Sequence, residues 1–222
     1  MIQITNEEYN MDLTAHRPDM DLFGNSIKQK ALTSMQRVTT RQSVLKGRDL
    51  YTTEPADIER FIKAIQRDGV ELPAPIWEPA AGRGDISKTL VKYGHEVRST
   101  DIFPYRDDDI DIAALDFFTC KNTAGDCKTI FTNPPFNAQE EFLEHALSFG
   151  VNVVFFARLS FLSSVRRRRI YERYNPAYVY VYSGRAHCYK DGDTSKGQNM
   201  IDYCVIMWKP PYKHETALRW IA

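Results

Sequence analysis

The sequence predicts an α/β fold, a mostly parallel sheet with helices on both faces. Three observations carry that prediction. From residue 53 onward, short apolar runs alternate with helical stripes, which is how parallel strands joined by crossover helices read. One run, Val151–Ala157, is apolar enough to be buried on both faces. The glycines, prolines and carboxylates that follow the runs fall at carboxyl ends of strands, where open α/β sheets bind ligands.

The elements follow in order. Residues 1–50 are polar, rich in Thr, Gln and Lys, and without period-2 alternation. They read as an N-terminal extension, partly helical, with a short helix around Ser26–Met35. Glu54-Pro55-Ala56-Asp57 opens a helix whose apolar stripe is Ile58, Phe61, Ile62 and Ile65. Ile76-Trp77 is a strand entering a glycine-containing turn and a helix near Ile86–Tyr93. His95–Thr100 is a strand ending at Asp101, and Lys128–Thr132 one ending at Asn133. Gln139–Phe149 is a helix with Phe142, Leu143, Ala146 and Leu147 on one face. Val165–Tyr174 is a basic helix, and Tyr178–Tyr182 and Tyr203–Trp208 are two further strands.

Composition narrows the classes. The chain has 222 residues, 43% hydrophobic and 26% charged, an ordinary soluble balance. No apolar run approaches the roughly 20 residues of a membrane span, and the first residues lack the pattern of a signal peptide. Cys120, Cys127, Cys188 and Cys204 fit neither a zinc knuckle nor a redox pair. They read as reduced thiols, the expected location being the cytoplasm. The five histidines show no metal or triad spacing, and no metal is expected. Net charge is zero. A dedicated nucleic-acid binder is usually basic, so neutrality argues for local rather than global contact with any nucleic acid.

Two stretches carry chemistry. In Trp77-Glu78-Pro79-Ala80-Ala81-Gly82-Arg83-Gly84-Asp85, Gly82 and Gly84 let backbone pass close to a ligand, or simply close a tight turn. Asp101, 17 residues after Gly84, can accept from two ribose hydroxyls or cap a turn. Asn133-Pro134-Pro135-Phe136 follows a strand directly. Its tandem prolines fix two φ angles and remove two donors. The Asn133 side chain and the Pro134 carbonyl are then two stiff acceptors converging on one point. An amino group donating to both turns its lone pair in a third direction, and Phe136 offers a flat face for a base.

On these residues the chain resembles the N6-adenine DNA methyltransferases, particularly the small phage and prophage type, over residues from about 50 to 210. The resemblance implies a Rossmann-like S-adenosylmethionine-dependent methyltransferase fold: a mostly parallel, seven-stranded sheet with an antiparallel last strand. It implies S-adenosyl-L-methionine as cofactor and direct, in-line methyl transfer to N6 of adenine in DNA. Asn133, Pro134, Pro135 and Phe136 match the catalytic signature. Glu78, Ala80, Gly82 and Gly84 match the cofactor loop, Asp101 with Ile102 the ribose-binding end of the next strand, and Asp116-Phe117 the contact to the cofactor's adenine. Tyr51-Thr52-Thr53 is similar to the upstream element near the methionine end, with Thr53 where the family usually has proline. Residues 51–222 are expected to be the catalytic domain, without the separate target-recognition domain of larger relatives, in the cytoplasm of a bacterial host if phage-encoded.

Four consecutive arginines, Arg166 to Arg169, cannot all face one ligand on a helix. Arg158, Arg166, Arg169 and Arg185 are the candidate nucleic-acid contacts; the other reading is a solvated, salt-bridged surface. The connection over residues 184–201 reads as a long polar loop, and Asp107–Asp111 as a solvated acidic one. The nearest alternatives are an RNA amino-methyltransferase, a protein-glutamine methyltransferase, and a catalytically inactive nucleic-acid-binding protein of the same fold. A nicotinamide dehydrogenase fits less well, because the glycine spacing is wrong for it.

Overall fold

The computed structural model of the protein describes residues 50–103, 112–120, 125–190, 192 and 201–222. The polar extension with its expected helix around 26–35, the acidic stretch 107–111 and most of 191–200 lie outside these residues.

The chain opens with a short strand, β1 (Tyr51–Thr53), and a helix, α1 (Pro55–Arg67), with proline in its first turn. That proline suits a helix start, where its missing N–H is not needed. Ile58, Phe61, Ile62 and Ile65 form the buried stripe of α1, none more than 3% exposed. Next come β2 (Ile76–Glu78), α2 (Asp85–Lys92), β3 (Val97–Asp101), β4 (Ile112–Ala114), β5 (Thr129–Thr132), α3 (Gln139–Ser148), β6 (Asn152–Arg158) and α4 (Val165–Arg173). The chain closes with β7 (Tyr178–Tyr182), β8 (Cys188–Lys190), β9 (Tyr203–Trp208) and β10 (Ala217–Ile221).

Eight strands form the main sheet in the order β10-β7-β9-β6-β5-β2-β3-β4. All run parallel except β9, which is antiparallel to both β6 and β7. The fold is thus a Rossmann-like α/β arrangement with the single antiparallel strand expected at Tyr203–Trp208. The expected count of seven strands is corrected to eight among the described residues. After β9 the chain turns back and adds β10 parallel to β7 as a new edge. Its exposure runs without alternation, with Leu218 53% and Trp220 56% exposed, so no period-2 signal marked it.

The core lies on both faces of the sheet because the central strands alternate between them. Val154 and Phe156 of β6, with Val205 and Met207 of β9, pack under α1 and α2. Val153, Phe155 and Ala157, with Cys204, Ile206 and Trp208, pack under α3 and α4. Trp208 is fully buried and places its indole N–H 3.1 Å from the Tyr174 carbonyl oxygen. A second correction concerns the expected loop 184–201. Its residues 188–190 form β8, which pairs antiparallel with β1, Thr53 opposite Cys188, in a separate two-stranded sheet.

Candidate active site

After β2 the chain turns through residues 79–84 into α2. Gly82 and Gly84 have φ of +56° and +78°, a conformation that strains any residue with a Cβ. A Cβ on Gly82 would stand 2.8 Å from Leu50 Cδ1, so the glycine also serves close approach. The Ala81 N–H donates to the Thr100 carbonyl at 3.0 Å, and the Gly84 N–H to the Ala81 carbonyl at 2.7 Å. Ala80 lies in the same turn, half-buried. Asp101, at the end of β3, is buried and accepts the Gly82 N–H at 2.8 Å and the Phe103 N–H at 2.9 Å, one on each oxygen. Each oxygen retains acceptor capacity. Ile102 beside it is an exposed apolar residue.

Glu78 has a different role from the one the resemblance implies for it. It is 1% exposed, and one carboxylate oxygen accepts both the Ser87 N–H at 2.9 Å and the Ser87 hydroxyl. Ser99 donates in turn to the Ser87 hydroxyl at 2.7 Å. The carboxyl therefore braces the turn against α2 and β3 instead of facing a ligand. Burial raises its pKa well above the ordinary 4.5. A carboxyl whose folded pKa exceeds its unfolded one holds more protons when folded, so stability falls as pH rises from about 4.5 through the folded value. Asp101, also raised by burial, adds to the same slope. Glu78→Gln should flatten the decline in melting temperature with rising pH, measured by thermal scans across pH; an unaltered slope would refute the ionisable brace.

β1 joins the glycine turn to the Asn-Pro-Pro-Phe segment. Leu50 lies against Gly82, while Thr52, Thr53 and Glu54 line a cleft of about 210 Å³ with Arg83, Asp85 and Tyr189. On its other side β1 holds Asn133. The Asn133 Nδ2 donates to the Thr53 hydroxyl at 3.1 Å and, more weakly, to the Tyr51 carbonyl at 3.5 Å and Cys188 Sγ at 3.4 Å. The Tyr51 carbonyl, which can only accept, assigns the amide atom on that side as nitrogen. The Thr53 hydroxyl accepts this bond, which a proline, the residue the resemblance leads one to expect here, could not do. Asn133 Oδ1 is left buried and without a partner among the described residues. Pro134 is buried, and Pro135 and Phe136 are half-buried, with Phe136 starting a short 3-10 turn. The structure therefore brings together Tyr51–Thr53, Gly82, Asp101 and Asn133–Phe136 at neighbouring strand ends.

Three expectations are corrected. The Phe117 ring is 2% exposed, stacked on Phe142 at 4.6 Å and edge-on to Trp77 at 5.2 Å. It belongs to the core and is not available to a ligand. Asp116 beside it is half-buried and caps the following turn through the Phe118 N–H. Arg158 is not an exposed phosphate contact: it is half-buried, its guanidinium carbon 4.0 Å from the Phe136 ring centre. The Phe136 ring also meets Tyr51 at 4.4 Å, so the face expected to be open for a base is occupied. Arg166 is exposed but pairs with Glu140 at 3.2 Å. Arg167 braces the turn before α4, bonding Glu140 and the Phe161, Ser160 and Ser163 carbonyls. Arg168 pairs with Glu172 at 2.6 Å. Arg169 is exposed with no ion-pair partner among the described residues, and Arg185 is exposed with its carbonyl held by Arg60 at 2.8 Å. The basic helix is thus mostly salt-bridged, with Arg169 exposed.

The sequence reading took Cys188 only as a reduced thiol and not as a neighbour of the site. Cys188 touches Asn133 only because β8 pairs with β1, more than 130 residues earlier in the chain, and no local pattern announces that. Burial pushes the Cys188 thiol up to about 11, so it is a neutral packing group and not a nucleophile. Among the described residues no cluster of His, Cys, Asp and Glu could hold a metal, and no helix is long and apolar enough to cross a membrane.

No family model matches the chain, and no curated protein matches it. Solved structures do. A Thermoplasma acidophilum protein superposes with a TM-score of 0.51 at 15% identity, over 71% of this chain and 86% of its own. A Listeria monocytogenes protein described as a class I S-adenosylmethionine-dependent methyltransferase gives 0.47 at 13% identity, over 75% of this chain. The present chain spans 65% of that protein's length. A Pyrococcus horikoshii protein described as an RNA methyltransferase gives 0.47 at 14%, over 68% and 81% of the two chains. At its identity, the Thermoplasma likeness is a likeness of fold.

Proposed function

We propose that the protein is an S-adenosylmethionine-dependent methyltransferase that methylates an exocyclic amino nitrogen, N6 of adenine in DNA. One observation carries the reading. Asn133 Oδ1 is a buried acceptor with no partner among the described residues, held at a strand end because Nδ2 is pinned to Thr53 and Tyr51. A buried acceptor left unmatched costs about 1–3 kcal/mol, and an incoming NH2 removes that cost.

The residues present fit the cofactor. Gly82 and Gly84 keep the turn clear of side chains, Asp101 keeps acceptor capacity for ribose hydroxyls, and Ile102 offers an apolar surface beside it. Asp116 is the candidate partner of the cofactor's adenine amine. The Thr52–Asp85 cleft, with Arg83 and Asp85 in its wall, suits a group carrying both charges. When bound, the cofactor supplies an electrophilic methyl group.

The chain's own contribution is to hold and orient the amine. Asn133 Oδ1 and the Pro134 carbonyl accept its two hydrogens, leaving the nitrogen lone pair directed away from both. As positive charge develops on nitrogen, both acceptors stabilise it more strongly. Holding the amine oriented removes much of the entropic barrier. The reaction needs no covalent intermediate, in keeping with the neutral thiol of Cys188. A base in a duplex must first leave the stack, at a cost of a few kcal/mol.

The test is tritiated methyl transfer to duplex DNA, single-stranded DNA and structured RNA, with the modified nucleoside identified by mass. N6-methyladenine in DNA is the expected product, with transfer falling as salt rises. Label in RNA alone would reassign the substrate, and label in none of the three would overturn the reading.

A further inference from the structure

Two buried polar atoms of opposite character lie at the ends of the neighbouring strands β5 and β6. Asn133 Oδ1, an acceptor, and Arg158 Nε, a donor, are both without hydrogen-bond partners among the described residues. The Arg158 guanidinium carbon is 4.0 Å from the centre of that ring, and Asn133 precedes Phe136 by three residues. Asn133 directly follows β5 and Arg158 ends the adjacent strand β6, with Thr132 opposite Phe155; the Asn133 Nδ2 is 3.4 Å from Cys188 Sγ. An unmatched polar atom in a protein interior needs an explanation, and here one donor and one acceptor are unmatched at adjacent strand ends.

Their joint complement is a flat molecule that presents an NH2 next to a ring nitrogen acceptor. Adenine has that edge on either side of its amino group, N1 on one and N7 on the other. A glutamine side chain presents an amide edge, with no ring for Phe136 to stack on. We propose that Arg158 is a specificity-determining residue which donates to the ring nitrogen flanking the target amine while Asn133 accepts from the amine itself. This rests on the methyltransferase reading above and deepens it. Arg158 now fills the space over Phe136. Entry of the base moves the guanidinium from the ring face to the base edge, exchanging a cation–π contact for a charge-assisted hydrogen bond. The site then disfavours rings lacking the acceptor, because the buried Arg158 Nε is left without a partner.

The test uses the full chain with oligonucleotides carrying adenine, 1-deazaadenine or 7-deazaadenine at the methylated position. The wild-type protein should discriminate against one of the two analogues by at least about tenfold in kcat/KM, the loss expected for one charged hydrogen bond. Arg158→Met fills similar volume without a donor and should treat adenine and that analogue alike, at unchanged cofactor affinity. Arg158→Lys, which keeps the charge but not the planar fork, gives a second reading should the methionine variant not fold. Discrimination that survives in the folded variant, or wild-type protein indifferent to all three rings, would overturn the role of Arg158 alone. No transfer by wild-type protein to any adenine would overturn the methyltransferase reading, and this inference with it.

Discussion

Replacing Asn133 by alanine should lower methyl transfer by about 10²–10³-fold or more, the range seen when a preorganised electrostatic group is removed. Cofactor affinity should not change. Among the described residues the Asn133 side chain bonds Tyr51, Thr53 and Cys188 and none of Gly82, Gly84 and Asp101, so the ribose end of the cofactor site is untouched and the two readouts separate. Single-turnover transfer measures the first effect and calorimetric titration of cofactor the second, with a melting curve to show that the variant is folded. Turnover close to wild type would remove Asn133 from the chemistry. A parallel loss of cofactor affinity would make it a structural strut. Thr53→Val takes away the hydroxyl that pins Asn133 and should reproduce part of the defect with the side-chain amide still present.

The second large effect is expected at Asp101. Its alanine variant should weaken cofactor binding about 10–100-fold, since hydrogen bonds to a charged group contribute about 1.5–3 kcal/mol. At saturating cofactor, transfer should recover most of its rate. The same carboxylate also accepts the Gly82 and Phe103 N–H groups, so Asp101→Asn, which keeps one oxygen, is the informative companion. If the carboxylate acts on ribose hydroxyls, a cofactor analogue lacking them should bind the wild-type and alanine proteins equally. A wild-type preference for the complete cofactor that persists in the alanine variant would show that Asp101 merely shapes the turn.

Most of the central architecture was legible because its signals are local. The α1 stripe, the apolar β6 and β9 runs and the turns after β2 and β5 each announce themselves within a dozen residues. The strand ends that gather Gly82, Asp101 and Asn133 were legible for the same reason. Features that depend on distant partners were not. β8 is three residues in a polar stretch, and it is a strand only because β1 pairs with it. β10 lacks alternation because both Leu218 and Trp220 stay exposed at an edge. Residue type also misled where two roles share one residue. Glu78 could face a ligand or brace a turn, and only the Ser87 and Ser99 hydroxyls decide between them. Phe117 could stack on a cofactor or fill the core, and the surrounding Trp77 and Phe142 rings decide that. The four arginines of α4 read as a cationic surface until Glu140 and Glu172 are placed beside them.

The clasp of β1 and β8 stands outside the main sheet, and among the described residues the side-chain hydrogen bonds of Asn133 all go to it. Those contacts close chain loops of 80 and 55 residues, while the clasp itself is only three residue pairs long. Short, peripheral pairings of this kind open locally at far lower cost than a core unfolds. On the methyltransferase reading proposed above, competence to react is then expected to be a separate equilibrium superimposed on a sturdier scaffold, with molecules native in their core while temporarily unable to react.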